Sequence, residues 1–558
     1  MRGKHMLNRR EVLMSALLAA VLRPLPAVAD TGAEFVLNPD EILLNRLTFG
    51  ANAASRADLA QLGPMAWLDD QLSRPARDPE IDGRLAAFKL RIAYEAEDDG
   101  NGFAWDGLDE MRGLTALTAD PASLLPLLDW EKPISYSERA RPADEVIAAS
   151  LTRAVHAPAQ LREVMTQFWH DHFNVHAQKD EFVAVFFPSY DATLRDNALG
   201  NFRALLGAVA KSPSMLIYLN NAESSASPAN ENFGRELLEL HTLGAGNYLN
   251  EYYDNWAQVP GAADGLAQGY IDEDVYEVAR AFTGWTVGDG RYVAEGQETP
   301  MSGLFAYVEG WHDPYQKRVL GVEMEPNRAP MADAEQVMDI LAKHPGTATF
   351  ICTKLARRLV TDDPSAAFVD RLATLFLQTT DAPDQIAQLI RAIVADPEFA
   401  APPGKIRRPF EFLAAMYRAS GVKVVSAEMD FHWQLARAGW QQHTFPPPTG
   451  HPDTLADWNT STLILRYVDY ALSAHDEWFG STTSRLSAKL PDDVRTLGAL
   501  MQFWASAFHG TARDAAPEFF AELGINPDDP LPDDETERHD YSVIAIAFAA
   551  LSPQFLYR

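Results

Sequence analysis

"DEVIAASLTRAVHAPAQLREVMTQFWHDHF", residues 144–173, decides the fold class. Its apolar residues recur three or four apart, which lines one face of a helix and does not suit the strict alternation of a strand. The same spacing runs through "PDEILLNRLTFG" from 39, "NFRALLGAVAKSPSMLIYL" from 201, "AEQVMDILAKHPGTATFICTKLARRLV" from 334 and "DQIAQLIRAIVADPEF" from 384. Several of these segments start at Asp, Ser or Asn and stop before Pro or Gly, as helix capping requires. Alternating strand patterns are scarce. The expectation is a mainly α, large multi-helix globular domain. Its long irregular segments are an acidic, Gly-rich stretch at 95–110, a loop at 244–270 long enough to be a lid, and a proline-stiffened run at 445–461.

Outward from this, the N-terminus reads as an export signal. Arg9 and Arg10 precede an apolar run from Val12 to Leu22, and Ala27-Val28-Ala29 has the form of a cleavage site. The paired arginines suit the twin-arginine route, which carries folded proteins. Residues 1–29 are therefore a signal peptide, and the mature chain is periplasmic or secreted, with no stable transmembrane anchor. Residues 30–558 form a helical domain, with two packed subdomains meeting near 325–335 as the alternative. Cys352 is the only cysteine, so there is no intramolecular disulfide and no multi-cysteine metal site. The chain carries net −31, and loss of residues 1–29 removes five basic residues and Glu11 to leave −35. Such a surface repels phosphate backbones, which argues against nucleic acid as a partner.

The chemistry concentrates in "NENFGRELLELHTLG", 230–244. On a wheel of about 100° per residue, Arg235, Glu236 and Glu239 fall within about 60° of Asn232 and make one polar stripe. His241 falls about 180° away while the helix stays regular. Apolar residues flank the stripe on more than one side, so two readings stay open: a solvated edge with a Glu231 to Arg235 pair, or a buried polar site whose carboxylates need a cation or metal. Candidate partners are Arg235 itself, Arg407 or Arg408 at a helix entrance before Pro409, and a metal held with His172 or His312.

Two further segments carry imidazoles. "QFWHDHFNVHAQKD" holds His170, His172 and His176 with Asp171 and Asn174, and "GWHDPYQKRVLG" holds His312, Asp313 and Lys317. On a helix His172 and His176 share a face; in extended chain His170 and His172 do. Helix-end or hydrogen-bonded core histidines are the plain alternative. The segment 270–285 reads as a helix beginning near Asp272. There is no G-x-S-x-G elbow, phosphate loop, H-E-x-x-H or haem-attachment motif, which disfavours most standard hydrolase and nucleotide classes.

Taken in order, "LNRLTFGA" (44), "FWHDHFNV" (168), "MLIYLNN" (215), "NENFGRELLELHTLG" (230), "DVYEVARAFTGW" (274), "WHDPYQKRVLG" (311), "RRPFEFL" (407), "FPPPTGHPDTLADWNTSTLILR" (445) and "LSPQFLYR" (551) resemble the bacterial family called domain of unknown function 1800. Exported members are common in that family, and it supplies a motif map without an established reaction. The resemblance places His172, Asn174, Asn232, Arg235, Glu236, Glu239, His241, Thr242, His312, Lys317, Arg408 and Trp458 on motif positions. Asn220 stands where relatives commonly carry Asp, His451 where a Trp is usual, and the 244–270 loop is longer than usual.

The functional expectation is a metal-dependent hydrolase acting on an extracellular or periplasmic polymer. Glu236, Glu239, His241 and Lys317 are its candidate catalytic groups. His172, Glu236 and His312 are candidate ligands of a divalent metal, and Asn174, Asn232, Arg235, Arg408 and Trp458 candidate substrate-binding residues. The alternatives are a non-catalytic binding or assembly protein for a secreted partner or glycan, and a haem or mononuclear-iron oxidoreductase.

Overall fold

The computed structural model describes residues 38–98, 100, 103–402, 404–427, 430–476, 478, 482, 485–510 and 526–558. The export signal read at 1–29 lies outside the described residues. Helices carry most of the rest, so the chain is mainly α. The 144–173 stretch lies on two helices, Tyr136–His156 and Gln160–His172. The break is due to Pro158, which disfavours helical backbone at the residue before it; Ala157 is extended, with φ −62° and ψ 131°. The first helix packs along Glu181–Asn197, and Ala143, Ala148 and Ala149, all fully buried, leave room for close approach.

At the centre lies Pro409–Ser420, every residue of which is buried. It packs on Tyr136–His156, on Ser461–Leu472 and on Leu497–His509. A helix enclosed on all sides must also satisfy its charged residues inside the protein. Arg418, one of them, donates to Val155 O at 2.8 Å and to Gly50 O at 2.6 Å. Gly50 has φ +123°, and a Cβ there would lie 2.7 Å from the Ala415 Cβ. Only glycine lets the 44–51 segment lie this close to the central helix. The buried apolar side chains form one contiguous cluster from Leu43 to Leu556, with Met324 and Ala334 on either side of 325–335 both part of it.

Strands are few and short. Lys89–Tyr94 runs antiparallel to Leu108–Gly113, with Leu90 opposite Arg112, and parallel to Ser426–Ala427. Its buried Leu90 and Ile92 alternate with exposed Lys89, Arg91 and Ala93, a period of two that is legible in "KLRIAY". Part of the acidic 95–110 segment, expected to be irregular, extends this hairpin, with Glu97–Asp98 pairing Ala104–Trp105. The 244–270 segment is a chain of short 3-10 turns. Its base is closed by Leu249 N to Tyr270 O at 2.8 Å and Tyr270 N to Asn247 O at 2.9 Å.

Candidate functional site

Glu231–Glu236 is α-helical and capped by Asn230, whose side chain accepts from the Asn232 amide. A Cβ on Gly234 would lie 2.8 Å from Val275 O, so this turn packs backbone to backbone on Asp272–Ala281. From Leu237 to Thr242 the helix widens to π, and Leu243 N reaches back to Leu238 O at 2.9 Å. An inserted π turn rotates the residues beyond it relative to a regular helix. His241 is 2% exposed and lies against the Phe173 ring at 5.1 Å. It points into the 168–175 segment, its Nε2 has no hydrogen-bond partner, and its carbonyl accepts from His172 Nε2 at 3.1 Å.

His172 is held from both sides. Its Nδ1 accepts from Lys354 Nζ at 2.9 Å while Nε2–H donates to His241 O, which sets the tautomer. Burial, reinforced by Lys354, holds its pKa well below that of a free imidazole. Burial likewise lowers the Lys354 ammonium to about 8, against the pull of Asp171 and Asp453. Next to it, Arg408 donates to Asp171 at 3.0 Å and to Glu411 at 3.0 and 3.1 Å. Arg358 also donates to Glu411, and Arg558 lies 3.3 Å from it. Burial would raise both carboxyls; Arg408 overcomes this at Asp171 and holds it at about 2, and Arg358 with Arg408 and Arg558 keep Glu411 well below the carboxylate range. Arg408, expected as a partner of the Glu236 stripe or of substrate, is thus an interior structural cation. Arg407 serves similarly, donating at 2.8 Å to both Phe555 O and Asn45.

The proline-rich segment is fastened over this network. Asn174 donates to Phe445 O and Pro447 O at 2.9 and 2.7 Å, Tyr218 to Pro446 O at 2.7 Å and Trp458 to Pro452 O at 2.9 Å. Gly450 has φ +70°, and a Cβ on it would sit 1.9 Å from Asp171 O. His451 stacks on Trp440 with 3.9 Å between ring centres and lies 3.3 Å from Asp171. Asn174 and Trp458, read as substrate-binding, therefore hold backbone. His170 turns to Asp191 at 3.1 Å, and His176 lies beyond the end of the helix and accepts from Gln178 N.

His312 and Lys317 belong to another cluster. Lys317 is enclosed, and its ammonium donates to Asp333 at 2.8 Å, Asp313 O at 2.6 Å and Tyr315 O at 2.9 Å, which occupies all three N–H groups. His312 sits between Thr283 O at 3.1 Å and Asp333 at 3.3 Å. Among the described residues no three His, Cys, Asp or Glu side chains are gathered so as to hold a metal ion. His172, Glu236 and His312 are thus not brought together as one ligand set, because each imidazole is engaged by its own neighbours.

What remains open is the stripe itself. Asn232, Arg235, Glu236 and Glu239 are half-buried, an intermediate between the solvated and the enclosed readings. Asn232 donates to Leu219 O at 3.2 Å, and Arg235 pairs with Asp272 at 3.3 Å, not with Glu231. Glu236 and Glu239 have no hydrogen-bond or ion-pair partner among the described residues. Burial, and then the charge of Glu239, raise the Glu236 pKa. Tyr218, raised to about 12 by burial and then by Glu236, lies beside one carboxylate. Tyr270, fully buried with an unpartnered hydroxyl and raised by burial and then by Glu239, lies beside the other.

The sequence reading missed Lys354, Glu411, Tyr218 and Tyr270. Glu411 carries a legible signal, since it stands three residues after the cap position Arg408 and accepts from the Arg408 amide at 3.0 Å. Lys354 sits in an ordinary helical repeat and has no local signal. No curated protein and no solved structure matches the chain. Residues 42–557 match the family model described as a protein of unknown function, DUF1800, and the chain belongs to that family.

Proposed function

We propose that this protein is an exported hydrolase of a periplasmic or extracellular polymer, with Glu236 and Glu239 as its acid and base. The observation that carries the reading is a pair of neighbouring carboxylates on one helix face, unpartnered among the described residues, with the Glu236 carboxyl raised by burial and by Glu239. A carboxyl whose pKa is raised by burial and a neighbouring charge is suited to hold and deliver a proton as a general acid. Glu236 in its acid form donates a proton to the leaving oxygen as the scissile bond breaks. Glu239 accepts a proton from the attacking water, whose oxygen forms the new bond. A divalent cation, were one held here, would have Glu236 and Glu239 as its protein ligands and would polarise the scissile group in place of the proton from Glu236. His172 and His312 are engaged elsewhere.

The test is product release from a panel of polysaccharides, peptidoglycan and polyesters by the mature protein, with and without a chelator, alongside metal analysis. Glu236→Gln and Glu239→Gln should each lower turnover at least a hundredfold with unchanged melting. Turnover that survives both substitutions would overturn the assignment. A second reading, a non-catalytic protein that grips a glycan or secreted partner, is favoured by the structural employment of Asn174, Arg408, Trp458, His312 and Lys317. It predicts saturable polymer binding without product, weakened by the same two substitutions.

A further inference from the structure

A cavity of about 430 Å³ opens among the Pro79–Ala87 helix, the 113–118 turn and the helices Tyr136–His156 and Glu181–Asn197. None of the segments that carry the family resemblance lines it. Ile81, Leu85, Leu114, Leu117 and Pro158 make its walls apolar, and Glu163, Arg153, Asp191 and Arg195 bring charge to it. Three of these four are paired with one another, although Arg195 Nε keeps no hydrogen-bond partner. Arg195 donates to both oxygens of Asp191 at 2.8 and 2.9 Å and also to Glu163, and Asp191 further meets His170 at 3.1 Å.

Arg153 is the exception. Its side chain is only 14% exposed, and its one side-chain hydrogen bond is a long one from Nη1 to Asp191 at 3.4 Å. Nε and Nη2 have no hydrogen-bond partner among the described residues. A guanidinium presents its donors as a planar fork that matches a carboxylate, and these two Arg153 donors are left for a partner from the cavity that Arg153 lines. The rim carries Asp78, Asp82 and Asp196 with the single cation Arg77, an acidic excess that water and salt screen at the mouth but that repels a multiply charged anion. Apolar walls, one underused buried cation and an acidic rim together select a singly charged acid with an apolar body.

We propose that this cavity binds a small monocarboxylate with an apolar body, its carboxylate on Nε and Nη2 of Arg153. Burial, and then the neighbouring Arg195, depress the Arg153 pKa against the pull of Asp191, Glu163 and Asp82. A site of this volume suits a ligand the size of a phenylalkanoate.

The experiment is calorimetric titration of the mature protein with 3-phenylpropionate, its neutral amide, the corresponding amine and inorganic phosphate. The acid should bind at least tenfold more tightly than the amide, with the amine and phosphate weaker still. Arg153→Gln should abolish the preference for acid over amide while leaving amide binding in place. Ala192→Trp, which fills the cavity from the Glu181–Asn197 helix and leaves Arg153 untouched, should abolish both and stands in if Arg153→Gln does not fold. Equal binding of acid and amide, tighter binding of the amine, no saturable binding of the acid, or acid binding unchanged by either substitution would each overturn the proposal.

Discussion

Two polar regions built largely from the same family motifs obey opposite rules. Around Arg408, the carboxylates of Asp171 and Glu411 each meet at least one guanidinium within 3.0 Å, and Arg408 and Glu411 are fully enclosed with Asp171 at their edge. Along the 230–244 stripe, Glu236 and Glu239 are half-buried and meet no cation of their own. Buried charge is tolerated only when paired, so the first region is a condition of folding. Carboxylates left unpaired at a half-open surface are not needed for the fold and are free to act on something else. The lesson is that charge in a motif says little until its partners are known.

The largest effect should come from the closed region. Glu411→Gln strands Arg358, Arg408 and Arg558 around a neutral amide and should cost about 3–5 kcal/mol in urea unfolding. A loss under about 1 kcal/mol would erase the contrast. Next, Gly450→Ala places a methyl on Asp171 O at a left-handed φ and should cost about 2–4 kcal/mol, read as a shift of the denaturation midpoint. An unshifted midpoint would mean that the proline-rich segment is not held as described.

The pH profile separates the regions by sign. Asp171, held at about 2, contributes stability that is complete above its unfolded value near 4 and is lost as pH falls toward 2, on the order of 2 kcal/mol. Glu236, whose pKa is raised, works the other way: the folded state binds the proton first, so its contribution increases as pH falls through the folded pKa. Arg408→Met should therefore flatten the acid limb of a stability curve, and Glu236→Gln should not. The smallest effect is on stability itself: Glu236→Gln should stay within about 0.5 kcal/mol of wild type, or gain slightly by removing repulsion from Glu239. A loss above about 2 kcal/mol would place Glu236 in the structural network instead.

Much of the fold was legible because helix formation is local. Apolar spacing marked 144–173 and 334–360 as helical, each of which the structure divides into two helices, Pro409 marked a helix start, and Asp272 began a helix where its acids suited the first turn. The i,i+3 carboxylate pair of the proposed site was also visible on the wheel, and both side chains are half-buried. The wheel set His241 away from the stripe for a regular helix, and no local pattern in "LLELHT" declares that the helix widens to π from Leu237.

The sequence by itself settled what each segment prefers to be, because spacing, caps and breakers act within a few residues. Only the tertiary structure decided which charges are fold and which are free. Arg408 and Asp171 lie 237 positions apart and Lys354 and His172 182 apart, and pairing at such separations depends on how helices pack against one another. The physical reason is desolvation: a charge must find a partner or stay wet, and which of the two it does is set by the packed interior.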